Sequence, residues 1–202
     1  MRTLITAPAS EPVTLQELKD FLRIVRSNDD SFLTALITAA RDIVEKVQWR
    51  QLIDAVWDIT LKEFPTDGII WLPFPPLDSV THVKYYDTSN TQQTLSTSYY
   101  TVHTSTEDPG YIQLASGYTW PTVEDRVDPI VVRIVAGYGT AASAVPEATK
   151  AAIKILASEF YLNRTATSGG EMGTVTAPQW SNAAEALMQI NACRQRTVND
   201  LA

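Results

Sequence analysis

The stretch that decides the fold begins with Ile130-Val-Val-Arg-Ile-Val-Ala-Gly-Tyr-Gly139, an apolar run that ends in two glycines. After a loop of small residues it continues as Val145-Pro-Glu-Ala-Thr-Lys-Ala-Ala-Ile-Lys-Ile-Leu-Ala-Ser-Glu-Phe-Tyr-Leu-Asn-Arg164. The first part is typical of a buried strand, and in the second part apolar residues recur at helical spacing. The segment therefore predicts a strand that leaves a β region and leads into an amphipathic helix.

An equally clear helical pattern lies far upstream. Thr14-Leu-Gln-Glu17 is a capping box, in which a hydroxyl and a carboxylate satisfy amides at a helix start. It predicts a short helix to about Arg23, with Phe21 on its apolar side. A turn at residues 27–30 then predicts a second helix, because apolar residues recur at helical spacing from Phe32 to Val47.

Between these helical patterns the apolar residues alternate with a period of two, which is typical of half-buried strands. The period begins with Trp57, Ile59 and Leu61. Further strands are predicted over residues 69–72, 80–86, 92–95, 99–102 and 111–114. The strand over residues 130–135 is predicted to be central, since it is apolar on both faces apart from Arg133.

The pattern predicts an α+β fold in which an antiparallel β insertion interrupts a helical core. Two N-terminal helices, a third helix after the sheet and a C-terminal helix make up this core. The last helix is predicted over residues 183–194, with Ala186, Leu187 and Ile190 facing inward, after a Thr-, Ser- and Gly-rich loop at residues 165–181. The predicted domains are residues 1–50 with 140–202, and residues 51–139.

Composition and charge limit the classes of function that the chain could have. The 202 residues carry a formal net charge of −7, which argues against a nucleic-acid grip but suits a surface that DNA must pass without sticking. The lone Cys193 excludes an intrachain disulfide framework. We find no apolar run of membrane-spanning length and no signal-peptide pattern, so we expect a cytosolic chain without a membrane partner.

The residues that could act in catalysis or bind a metal do not occur in the combinations that such sites need. His82 and His103 lack neighbouring thiols or further histidines, and no Gly-x-Ser-x-Gly elbow is present. Gly137-Tyr-Gly139 lacks the length and lysine of a P-loop, and it is interpreted as a hinge that ends a strand. The acidic residues between Glu107 and Asp128 fit no EF-hand spacing. We therefore expect no catalytic residue, no cofactor, no metal site and no enzymatic activity.

Four segments, in order, carry a resemblance. They are Ala7-Pro-Ala-Ser-Glu-Pro-Val-Thr-Leu-Gln-Glu-Leu-Lys-Asp-Phe-Leu-Arg23, the acidic turn Asn28-Asp-Asp30 before the second helix, Leu72-Pro-Phe-Pro-Pro-Leu-Asp-Ser-Val-Thr-His-Val-Lys-Tyr-Tyr-Asp87, and Val132–Gly139 with Val145–Ile153. Over residues 5–164 the chain resembles the head–tail connector (adaptor) proteins of tailed phages and prophages. It departs from the family pattern at Val47-Gln-Trp-Arg50, where a glycine turn is expected, and at Phe74.

The resemblance implies a structural virion protein of the head–tail neck, made in the cytoplasm of the bacterial host. It implies a homo-oligomeric ring of about twelve subunits below the portal. The portal protein and the next neck or tail protein, a stopper or tail terminator, are the implied partners. DNA passes through the ring without specific binding.

Two surfaces are predicted to serve assembly. The polar stripe of the third helix, Glu147, Lys150, Lys154 and Ser158, is a candidate interface with a neighbouring subunit. Within the loop at residues 165–181, Glu171, Met172 and Trp180 are candidates for docking a partner.

Two other functions stay open. Aromatic residues are concentrated in the β region, so the chain could be a carbohydrate- or protein-binding β module with helical flanks. A hydrolase that uses His82 or His103 with a nearby aspartate is the third candidate. Saccharide titration separates the second function from the connector, and replacement of both histidines separates the third.

Overall fold

The computed structural model describes residues 1–163 and 181–193, which form four helices and eight strands. The helices are α1 (Leu15–Leu22), α2 (Asp30–Gln48), α3 (Glu147–Leu162) and α4 (Asn182–Ile190). The strands are β1 (Arg2–Thr6), β2 (Ala55–Leu61), β3 (Ile69–Trp71), β4 (Leu77–Tyr86), β5 (Gln92–Thr94), β6 (Tyr100–His103), β7 (Tyr111–Leu114) and β8 (Ile130–Ala136). All strand pairs are antiparallel, which confirms the predicted α+β class.

The chain consists of two compact units. Of the described residues, 1–10, 49–141 and Cys193 form the β unit, and 11–48, 142–163 and 181–192 form the helical unit. Every strand thus lies in the first unit and every helix named above in the second.

In the helical unit, α1 begins at the predicted capping box. The Thr14 hydroxyl accepts a hydrogen bond from the Glu17 amide at 3.2 Å, and the Glu17 carboxylate accepts one from the Thr14 amide at 2.7 Å. The helix ends where Arg23 adopts a left-handed conformation with φ 56°. Buried apolar residues from three elements form the core: Leu18, Leu33, Ile37, Ala40, Val44, Ala152, Ile153, Leu156 and Ala157.

The predicted inward face of the C-terminal helix was wrong. Ala186 is exposed and Ile190 is 66% exposed, whereas Ala184 and Met188 are fully buried. The helix also ends at Ile190, and Asn191 follows it as the C-cap. The apolar residues of this short helix fit more than one helical face, so periodicity alone did not select the buried one.

Two antiparallel sheets build the β unit. One has the strand order β1-β2-β8-β4-β5 and the other β3-β7-β6. Strand β8 lies between β2 and β4, which confirms its predicted central place. Its alternate residues Ile130, Val132 and Ile134 are fully buried, and they pack into the core that the two sheets share.

Strand β1 has no counterpart among the predicted strands. It pairs with β2, and its Leu4 lies opposite Trp57. All five of its residues are exposed, because it forms an edge of the sheet. An edge strand of this length has no alternation between buried and exposed residues, so its sequence carried no usable signal.

Both departures from the family pattern coincide with unusual backbone. Trp49 has φ 55° and Phe74 has φ 65°, a region that favours glycine. The Arg2 guanidinium lies 5.1 Å from the Trp49 ring centroid and 5.2 Å from that of Phe74. These cation–π contacts give the two aromatic side chains a packing role that glycine could not fill.

Candidate assembly surfaces

The polar stripe of α3 is only partly available to a partner. Glu147 is exposed and Lys154 is half-buried, whereas Lys150 and Ser158 are buried. Lys150 forms an ion pair with Glu147, and the Ser158 hydroxyl donates to the Ile155 carbonyl at 2.6 Å. The four side chains of the stripe are therefore not equally exposed. The role of the stripe as a subunit interface stays a prediction.

Helix α1 packs against α3. The pKa of the Glu17 carboxyl is lowered, first by the hydrogen bond from the Thr14 amide and further by the positive charges of Lys154 and Lys150. Part of the stripe thus serves contacts within the helical unit.

The other predicted docking residues, Glu171, Met172 and Trp180, lie outside the described residues.

A buried polar network that the sequence did not indicate joins α2, α3 and the end of α4. Gln48 is fully buried, and its amide nitrogen donates to the Thr149 hydroxyl at 3.3 Å and to the Met188 carbonyl at 3.1 Å. The Asn191 amide donates to the same hydroxyl at 3.2 Å. Satisfied polar groups of this kind fix the register of packed helices. The one available signal was a polar residue at the end of an apolar helical stripe.

At one end of the helical unit, two hydrogen bonds bring three helix termini together. The Lys19 ammonium contacts the Asp30 carboxylate at 2.7 Å, and the Tyr161 hydroxyl donates to the Asp29 carboxylate at 2.7 Å. Exposed apolar side chains lie at this end, namely Phe21, Val25, Phe32 and Leu162. This end of the helical unit thus combines polar contacts between helices with exposed apolar side chains.

In the β unit, Arg50 anchors the loop between β6 and β7. Its side chain is 3% exposed, and it donates to the Thr106 carbonyl and, at 2.9 Å, to the Glu107 carbonyl. The Glu107 carboxylate lies 3.5 Å from the same guanidinium. Burial raises the pKa of the neighbouring Tyr138 hydroxyl and of the Cys193 thiol, so both stay protonated at neutral pH. This arrangement is structural, because both terminal nitrogens of the guanidinium donate to backbone carbonyls of the loop.

Neither histidine lies in a catalytic arrangement. His82 faces Arg133, which forms two hydrogen bonds of 2.7 and 2.8 Å to the Asp58 carboxylate. Burial and the charges of Lys84 and Arg133 lower the pKa of His82, so it is neutral at pH 7. His103 stacks on Tyr111 at 4.5 Å. Among residues 1–163 and 181–193, no cluster of His, Cys, Asp and Glu could hold a metal ion.

The glycine that resembled a phosphate cradle serves a close backbone approach. A Cβ on Gly137 would lie 2.5 Å from the Asp54 amide nitrogen and 2.5 Å from its carboxylate. The Gly137 amide donates to the Pro76 carbonyl at 2.9 Å, and the Asp54 amide donates to the Gly139 carbonyl at 3.1 Å. The space beside this glycine is thus filled by protein. A role of this segment as a hinge stays a prediction.

Most aromatic residues of the β unit contact one another. Trp57 packs on Phe74 at 4.6 Å between ring centroids, and Tyr99 packs on Tyr118 at 4.6 Å. Further pairs are Phe64 with Trp120, Phe64 with Tyr85 and Trp71 with Tyr111. These contacts stabilise the unit and offer no row of free rings for a saccharide.

In the part of the chain that the structure describes, no helix is both long and apolar enough to cross a membrane.

Known proteins share this fold. The chain is similar to a protein in the neck of an empty GTA particle computed with C6 symmetry, with a TM-score of 0.78 and 19% identity over 98% of each chain. It is also similar to a protein in the virion of a native gene transfer agent (GTA) particle, with a TM-score of 0.77 and 19% identity over 98% of each chain. For the neck of a native GTA particle computed with C12 symmetry the TM-score is 0.76 and the identity 18%, again over 98% of each chain.

No curated protein sequence matches the chain. Residues 12–111 match the model of one family, the phage gp6-like head-tail connector proteins. This match covers α1, α2 and the strands from β2 to the start of β7. The family consists of structural connector proteins and is not an enzyme family. Through residues 12–111, this chain belongs to the phage gp6-like head–tail connector family.

Proposed function

We propose that the chain is a structural adaptor of the virion neck, where copies of it form a homo-oligomeric ring between the head and the tail. The family match over residues 12–111 carries this proposal. The likeness to neck proteins over 98% of the chain supports it, and those necks were computed with C6 and C12 symmetry.

The partners follow from the place of such a ring. On the head side it binds the portal protein, and on the tail side it binds the next neck or tail protein. DNA passes through its centre. The net charge of −7 supports this passage, because an acidic wall repels phosphates and keeps DNA from adhering. The host cytoplasm is where the chain is made and folded before it joins the particle.

A deletion experiment tests the neck role. Particles made without this chain should contain heads that lack tails, and supplying the wild-type chain should restore tailed particles. Tailed particles that form in normal yield without the chain would refute the proposal.

Portal binding has its own test. Purified chain should co-sediment with portal-bearing heads and should fail to co-sediment with heads assembled without the portal protein. Equal recovery with both kinds of head would remove the portal from the list of partners. A His82→Ala, His103→Ala variant should behave as the wild type in both experiments, because neither side chain takes part in assembly.

A further inference from the structure

One end of the helical unit presents an exposed cationic turn, defined here as residues 21–26. Phe21 is 51% and Val25 95% exposed, and Arg23 and Arg26 are exposed as well. Neither arginine forms an ion pair with any described residue. The turn thus offers two available positive charges beside two apolar side chains.

The acids nearest to this turn in the sequence are bound to other residues. Asp20 accepts a hydrogen bond from the Gln16 amide at 2.7 Å. Asp29 is bound by Tyr161 and Asp30 by Lys19, as described above. The positive charge of the turn is therefore available to an external partner.

The turn is also held in one conformation. Arg23 has φ 56°, its amide donates to the Asp20 carbonyl at 3.2 Å, and the Ile24 amide donates to the Lys19 carbonyl at 2.9 Å. This is a left-handed helix cap of the Schellman type. A surface fixed in this way loses little conformational entropy when a partner binds it.

The β unit presents a surface of the opposite charge, an acidic loop defined here as residues 124–128. Val127 is 84% exposed, and Glu124, Asp125 and Asp128 surround it. Arg126 lies 3.9 Å from the centroid of the Tyr86 ring and donates to Asn90. No described residue forms an ion pair with the three acids. With three acids against one arginine, the loop carries a formal charge of −2.

This loop is fixed at both ends. The Glu124 amide donates to the Tyr86 carbonyl at 3.0 Å, and the Tyr86 amide donates to the Pro129 carbonyl at 2.9 Å. Asp128 is held at φ 54°. The acidic loop thus resembles the cationic turn in having an exposed valine on a fixed backbone, and it carries the opposite sign of charge.

We propose that the cationic turn of one copy binds the acidic loop of the next copy. The two surfaces differ, so the contact is heterologous, and a repeated heterologous contact forms a ring when its rotation closes on itself. A second copy of this chain is thus the occupant that the paired charges favour. This inference rests on the proposed function, because it names the surfaces that join the subunits of the ring.

Charge reversal tests the pairing. Arg23→Glu with Arg26→Glu should raise the protein concentration for half-assembly at least about tenfold, and Glu124→Lys with Asp125→Lys should do the same. All four changes together should restore assembly, because opposite charges face each other again. Assembly is measured as mass by light scattering, or as occupancy of portal-bearing heads if rings form only there.

Two controls accompany these variants. Lys62→Glu alters an equally exposed lysine elsewhere on the β unit and should leave assembly unchanged. Lys154→Glu alters the predicted α3 interface, and under this pairing it also leaves assembly unchanged. Loss of assembly in Lys154→Glu together with normal assembly of both reversed variants would overturn the pairing. If a variant that fails to assemble has the same unfolding curve as the wild type, its loss of assembly is not caused by misfolding.

Cross-linking gives a second readout. In a Cys193→Ser background, the V25C/V127C variant should form a ladder of covalent multimers on oxidation in the assembled state, and each single-cysteine variant should form none. Assembled rings without a ladder, or cross-links only within one chain, would overturn the pairing. Either of these two outcomes would leave the proposed neck role unaffected. Absence of the chain from necks would instead overturn the proposed function itself.

Discussion

Gly137 sits where the end of β8 touches another backbone segment, and the structure predicts what a single methyl group does there. In Gly137→Ala the new Cβ would lie 2.5 Å from the Asp54 amide nitrogen and 2.6 Å from its Cα. Backbone cannot move aside as a flexible side chain can, so overpacking costs about 1–3 kcal/mol. The residue also has φ 150°, which adds about 1–2 kcal/mol for an L-residue. The β unit should therefore lose about 2–5 kcal/mol of its free energy of unfolding.

Tryptophan fluorescence during urea unfolding measures this loss. Trp49, Trp57, Trp71 and Trp120 all belong to the β unit, so the emission reports mainly on that unit. With a slope of about 2 kcal/mol per molar urea, the midpoint should fall by about 1–2.5 M.

Gly117→Ala is the matched control. Gly117 has φ 84°, yet a Cβ there would meet nothing within 4 Å. This variant keeps the conformational cost and removes the collision, so it should lose only about 1–2 kcal/mol. Equal midpoints for the two alanine variants would refute the close-contact account of Gly137. A wild-type midpoint for Gly137→Ala would refute the account of its backbone conformation as well.

Three further changes test other contacts of the structure. Arg50→Met leaves the carbonyls that Arg50 binds without a donor, so the free energy of unfolding of the β unit should fall by about 1–3 kcal/mol. The loop at residues 104–110 should also become sensitive to protease. Unchanged cleavage would contradict the anchoring role of Arg50. The pKa of Asp58 is lowered, first by its hydrogen bond to Arg133. This contact therefore contributes stability above the unfolded pKa of about 3.9 and loses it as the pH falls through the lower folded pKa. Asp58→Asn should cost about 1–2 kcal/mol at pH 7 and should reduce the loss of stability below about pH 4, as seen in urea midpoints across pH. Gln48→Leu removes the donor to Thr149 and should cost about 1–3 kcal/mol by circular dichroism at 222 nm, whereas an equal or higher stability would show that the network is dispensable.

Much of the fold could be predicted because the decisive elements carry strong periodicity. The capping box at Thr14 and Glu17 and the central apolar strand β8 both appear in the structure as the sequence predicts. Strand β1 could not be predicted, since all of its residues are exposed and pairing with β2 alone defines it. The inward face of α4 was missed for a related reason, because nine residues give too few turns to distinguish faces.

The assembly surfaces were harder to predict than the fold. Helical spacing placed Lys150 on a polar face, but spacing cannot show that this lysine is buried and paired with Glu147. The cationic turn and the acidic loop became visible only when exposure and ion pairing were known for each charged group. A sequence shows which charges exist, and the structure shows which of them are already used within the chain.

The most direct test of the central claim is electron microscopy of particles whose copies of this chain carry a small label. We expect the label to be confined to the neck, between head and tail, in a closed ring that averages with rotational symmetry. Label on the capsid shell or along the tail, or particles with complete necks and no label, would contradict the claim that this chain is the head–tail connector.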